Sequence, residues 1–190
     1  MAWRKAGTKT LSGAQSNNVI TGLTANMFNQ FFGHAISGVG VNQVEMQFGN
    51  GSIDGATNYA FSKSNDGGTP VDSASTSVFK LHNSSSQQDK FFVGYIVNIA
   101  SEEKIGIGYI IEANTAGNPP NRAESVGKWA NKLVQFDQIE HQSSNLQSGT
   151  NLTVIGSDGT ASLNVQDGAV YYDKTLNKEY VLNSNVWTEL

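Results

Sequence analysis

The stretch FFVGYIVNIASEEKIGIGYII, residues 91–111, constrains the fold more than any other. Residues 91–100 are apolar on both parities and rich in β-branched and aromatic side chains, which predicts a strand in the middle of a sheet. SEEK turns the chain. Residues 105–111 then place Ile105, Ile107, Tyr109 and Ile111 on one face and Gly106, Gly108 and Ile110 on the other. Glycine inside a strand marks close packing or a bend. The same glycines do not form a nucleotide loop, because a third glycine, a following helix and a βαβ context are all missing.

The rest of the chain repeats the strand pattern. Met27–Ile36 is apolar on both parities, and Val44, Met46 and Phe48 alternate with Glu45 and Gln47. Tyr59 and Phe61 alternate again, followed by SNDGGTP, the strongest turn signal. Val78–Leu81, Val126–Ala130, Leu133–Ile139 and Leu152–Ile155 read as further strands, and the double proline of ANTAGNPPNRAESVG excludes a regular element there. Roughly nine or ten strands precede residue 156, at sandwich-like spacing. No helical period of useful length and no solenoid repeat occurs. Twenty glycines against three prolines suit tight β turns. The expected fold is all-β, a jelly-roll-like antiparallel sandwich over residues 1–156. A linker, GSDGTASLNVQDG, leads into a C-terminal β-hairpin module within residues 157–190. In that module Val170–Tyr172 enter, Asp173–Lys178 turn, Glu179–Leu182 return, and Trp187 closes the segment.

Composition narrows the function classes. The net charge is −4 and basic residues cluster only at Arg4, Lys5 and Lys9, so no nucleic-acid footprint is expected. The absence of cysteine removes disulfides and thiolate chemistry. No apolar run reaches a membrane span and MAWRKAGTKT is not a secretory signal, so synthesis in a cytoplasm is expected, with no membrane partner.

No motif carries catalysis. His34, His82 and His141 lack ligand-like spacing. NGSIDG, residues 50–55, begins like a calcium loop, but Phe61 stands where a bidentate glutamate belongs. Glu102 and Glu103 are neighbours, which points them to opposite faces of a strand, and they read as a solvated turn with Lys104. No GxSxG elbow is present. The chain is therefore expected to be non-enzymatic, without cofactor or metal. Candidate surface-loop contacts are Asn50, Asp54, Asn65, Asp66 and Trp129. Candidate oligomer or anchor contacts are Tyr171, Tyr172, Tyr180 and Trp187, because a lone hairpin is marginal in water and its aromatic residues need a partner surface.

The order TLSGAQSNNVITGL, FGNGSIDGATNYAF, IVNIASEEK, NRAESVGKWAN and a closing TVIGS resembles small β-sandwich structural proteins of tailed bacteriophages, especially aquatic ones. The resemblance covers roughly residues 3–156. The segment YYDKTLNKEYVLNSNVW resembles modules at the ends of phage fibre and appendage proteins, which usually pack as trimers. The resemblance implies a protein on the virion exterior, made in the host cytoplasm. A trimeric capsid decoration or cement protein is expected, in contact with a major capsid or tail protein. The alternative is a tail or head-fibre module that recognises host surface glycans. The resemblance carries over no catalytic residues.

Overall fold

A computed structural model describes residues 3–38, 43–82, 87–158, 170–173, 175–183 and 186–190. All regular structure in them is β, and no helix is long and apolar enough to cross a membrane. The chain divides into two compact units, a body of Trp3–Asp158 and a unit formed by Gly159–Leu190 with Met1–Ala2. The linker expected at 156–168 lies almost wholly outside the described residues.

The body holds thirteen strands among its described residues. Its larger sheet has eight, in the order β1 (Arg4–Thr10), β13 (Asn151–Ser157), β3 (Phe28–Ala35), β9 (Lys90–Val97), β10 (Lys104–Glu112), β11 (Asn121–Trp129), β6 (Tyr59–Asn65) and β7 (Val71–Thr76). The smaller sheet runs β2 (Gln15–Ile20), β12 (Gln138–Leu146), β4 (Val44–Asn50) and β5 (Ser52–Ile53), and β8 (Phe79–His82) also pairs with β4. Every ladder is antiparallel. β13 lies between β1 and β3, and β12 lies between β2 and β4. The two ends of the body's chain are thus rolled together, which is the jelly-roll-like feature of the sandwich. β13 ends at Ser157, one residue past the expected body limit.

Between the sheets lies one apolar core. Its centre is aromatic: Phe48 packs 5.1 Å from Phe136, 6.4 Å from Phe31 and 6.3 Å from Trp129, and Tyr59 stacks on Trp129. Burial alternates strictly along β3, so that Asn29, Phe31, Gly33 and Ala35 point inward. On the inner faces of the neighbouring strands glycines stand among large buried residues such as Phe92, Ile96 and Ile110. A side chain at Gly94 would strike the ring of Phe31, one at Gly108 would strike Leu81, and one at Gly127 would strike Phe79. Bulky residues from the strands opposite or beside them fill the space these glycines leave. Close packing, one of the two readings of these glycines, is what they provide.

Three sequence expectations are corrected. Leu133–Ile139 is not a strand: residues 130–137 form a loop with Leu133 87% exposed, and β12 starts at Gln138. NRAESVG is not irregular but belongs to β11, which starts immediately after Pro120. Lys104 is not part of a solvated turn. It is fully buried, its ammonium donates to the carbonyls of Glu102 and Asn131, and it lies 5.8 Å from the Trp129 ring. Its stem is sheltered by apolar surface while its ammonium reaches two carbonyls and the face of a ring. Glu103 instead pairs with Lys128 at 2.8 Å.

The C-terminal unit is a three-stranded antiparallel meander rather than a two-stranded hairpin: β14 (Val170–Asp173), β15 (Lys178–Asn183) and β16 (Val186–Glu189). The Asp173 carboxylate accepts from the amides of Thr175 and Leu176, and Asn177 takes a left-handed φ of 55°. Such side-chain capping is how Asp and Asn make turns.

Candidate functional site

The parity of β9 and β10 buries Phe92, Ile96 and Ile110 and leaves a second set of large side chains outside. Phe91 and Tyr95 of β9, Ile105, Ile107, Tyr109 and Ile111 of β10, and Val126 of β11 are each between 40% and 58% exposed. The register aligns them in rows across the sheet. Gln30, Tyr95, Ile107 and Val126 form one row; Phe32, Val93, Tyr109 and Glu124 form the next; His34, Phe91, Ile111 and Arg122 form a third. In the first row Gln30 donates to the Tyr95 hydroxyl at 3.0 Å. The face is apolar along β9 and β10. It is flanked on β11 by Arg122, Glu124 and Lys128 and on β3 by half-buried Phe28, Gln30, Phe32 and His34. Beside it, Ser62, Ser64, Pro70, Tyr109 and Glu124 line a shallow trough of about 220 Å³.

Charge is buried on the inner side. Glu112 and Lys90 are cross-strand partners on β10 and β9, with Lys90 Nζ 3.4 Å from Glu112 Oε1 and His82 Nε2 3.4 Å from Glu112 Oε2. All three are almost fully buried. Burial, reinforced by Lys90 and Lys63, pushes the His82 pKa down to about 4, so the ring is neutral near pH 7. Burial also lowers Lys90, against the pull of Glu112. On the smaller sheet His141 faces Asn18 across the β2–β12 ladder, and both are completely buried. The His141 ring packs 4.9 Å from Phe92, and burial holds it down to about 4 as well, although the Gln43 backbone favours its charged form. Among the described residues no three His, Asp or Glu side chains gather as a metal site requires.

The expected contact residues fall into different places. Trp129, expected at a loop surface, is 1% exposed, and its indole N–H donates to Asp54 Oδ2 at 2.7 Å. Asp54 is half-buried and occupied: it also accepts from the Ala56 amide and the Asn58 side chain. Burial pushes its carboxyl up, but these hydrogen bonds outweigh that and hold it below the usual carboxylate range. Both residues therefore hold the turn after β5 and are not free for a partner. Asn50 is exposed and donates to the Gln135 carbonyl. Asn65 ends β6 and Asp66 begins the β6–β7 connection, where Asp66 and Gly67 take φ values of 50° and 75°. The Asp66 carboxylate accepts from the Arg122 amide. In the C-terminal unit Tyr171 pairs with Tyr180 and Leu182 with Trp187 along the ladders. Tyr172 is 47% exposed and its hydroxyl donates to Asn177 Oδ1. The side chains of Tyr171 and Trp187 lie outside the described residues.

The residues of the apolar face were not among the expected contacts. One signal was available: large residues at 105, 107, 109 and 111 alternate with glycines at 106 and 108. A face of bulky apolar residues backed by glycines buries the glycine side only when the layer beneath supplies the volume.

Compared with known protein families, curated proteins and solved structures, the chain matches none.

Proposed function

We propose that this chain is a non-enzymatic structural component that docks through its eight-stranded sheet, on the exterior of a tailed-phage virion, as a capsid decoration or cement protein. The observation that carries the docking half is the apolar face of β9, β10 and β11, with bulky side chains turned to solvent and glycines turned to the core. A contiguous apolar surface of this kind marks an interaction site. The virion half is supported by the sequence resemblance of residues 3–156 and by the jelly-roll-like sandwich, an analogy of fold and pattern. In that setting the partners are a major capsid or tail protein.

The test is the band of this protein in purified virions. A copy number that matches the capsid's symmetry sites supports decoration, and a handful of copies points to the tail. Loss of the band when Ile107 is changed to Lys ties incorporation to the face. Absence of the protein from particles overturns the reading.

A second reading, a module for host surface glycans, is favoured by the trough beside Tyr109. An aromatic ring, the Glu124 carboxylate and the Ser62 and Ser64 hydroxyls converge there. Aromatic rings stack on sugars while carboxylates and hydroxyls bind their hydroxyl groups. A glycan array probed with multivalent protein checks it: binding lost in Tyr109→Ala supports it, and a blank array removes it.

A further inference from the structure

We infer that the occupant of the β9–β11 face is a second copy of this chain, the two bodies packing sheet against sheet about a two-fold axis. This rests on the reading of the face as a docking surface and names its partner.

Size is the first argument. The seven most exposed side chains, Phe91, Tyr95, Ile105, Ile107, Tyr109, Ile111 and Val126, expose on the order of 600 Å² together, given roughly 150–200 Å² for each large side chain. That is at the upper end of apolar patches on monomers, about 300–600 Å². With the half-buried rim it approaches the ~800 Å² that each partner brings to a standard interface. An identical patch covers it completely, whereas a single added peptide strand leaves much of it wet.

Shape is the second. Sheets pack face to face with side chains of the two layers interdigitating, and rows of alternating aromatic and β-branched residues suit that geometry. A two-fold axis brings the same patch onto itself, so no separate complementary surface is required.

Charge is the third. Ionic groups are confined to the flank, where Arg122, Glu124 and Lys128 stand on the outer side of β11. The signs are mixed, so two copies do not repel across the face. A strongly charged partner finds no match in the apolar centre.

The full chain should therefore sediment as a dimer, or as an even-numbered assembly if the C-terminal strands add a trimeric contact, at about 10–100 µM. Ile107→Lys should weaken self-association roughly thirtyfold or more, as loss of an interface anchor does. Leu133→Lys, at the most exposed apolar residue outside the face, should leave it intact. Because the chain has no cysteine, Ile107→Cys gives a single thiol whose maleimide labelling should slow as protein concentration rises. This second readout stands if the Lys variant fails to fold. A monomeric wild type, an odd-numbered assembly, an assembly indifferent to Ile107→Lys, or labelling at one rate at every concentration each overturns the two-copy contact. If that contact fails while Ile107→Lys still abolishes incorporation into virions, the docking reading survives with another partner. If incorporation is also unaffected, both fail.

Discussion

The ring of Phe31 lies across Gly94, its direct partner on the neighbouring strand, so that a single methyl group at position 94 would collide with it. Phe31 is wholly buried and cannot swing out to solvent. Gly94→Ala should therefore overpack the core and destabilise the body by about 1–3 kcal/mol. Urea titration measures this, and the loss should be larger than for Ala substituted at the exposed Val126.

Asp54 is the hub of the turn that follows β5, and Trp129 depends on it. Asp54→Ala removes three hydrogen bonds and strands the Trp129 indole N–H in the core. A buried donor left unpaired costs about 1–3 kcal/mol by itself. The melting temperature should fall accordingly, while sheet content by circular dichroism stays unchanged at low temperature.

The Lys90–Glu112 pair predicts a non-additive result. Glu112→Leu leaves the buried Lys90 ammonium without its counter-charge and should cost about 3–5 kcal/mol. Adding Lys90→Met to it should recover part of that loss, because the remaining buried charge is gone. A double-mutant cycle by chemical denaturation gives the coupling, and strict additivity would count against a pair that works as a unit.

Acid should loosen the body as its two buried histidines are forced to take up protons. His82 and His141 are both held near 4 in the fold against 6.5 when unfolded. The unfolded chain thus binds more protons between these values, and stability falls as pH drops from about 6.5 towards 4. Each histidine contributes on the order of 3 kcal/mol over that window. Above pH 7 neither contributes a slope. His141→Leu should roughly halve the slope between pH 6.5 and 4.5, measured by unfolding midpoints across the range.

The body's ladders close within Trp3–Asp158, so truncation after Asp158 should leave it folded. Cutting two or three residues earlier removes Ser157, or Ser157 and Gly156, from β13 and is expected to be less stable. Cooperative thermal unfolding of the shorter chain is the measurement, and an unfolded product would place the C-terminal strands in the core.

Much of the architecture was readable because period-two alternation and turn chemistry are local. The SNDGGTP turn is made by Asp66 and Gly67 with positive φ, as Asp-Gly favours. The strands Phe28–Ala35 and Val44–Asn50 fall where the pattern put them. β12 was missed because its centre carries Glu140, His141 and Ser143 at buried positions, and polar residues there give no hydrophobic signal. The apolar face was missed for the opposite reason. On a strand that is apolar at both parities, only the residues packed against it decide which side is covered, and Phe31, Leu81 and Phe79 lie far from those glycines in sequence. Trp129 was misplaced because its partner, Asp54, is reached only through the fold.

The rolled pairing of chain ends has a consequence for synthesis. β1 and β2 find their partners in β13 and β12, so residues 4–20 emerge from the ribosome long before residues 138–157 exist to receive them. Such non-local contacts make folding slow. The nascent chain must keep β9 and β10, its most apolar strands, from pairing wrongly during that wait, and completion of the β13 segment sets the earliest moment at which the body can close.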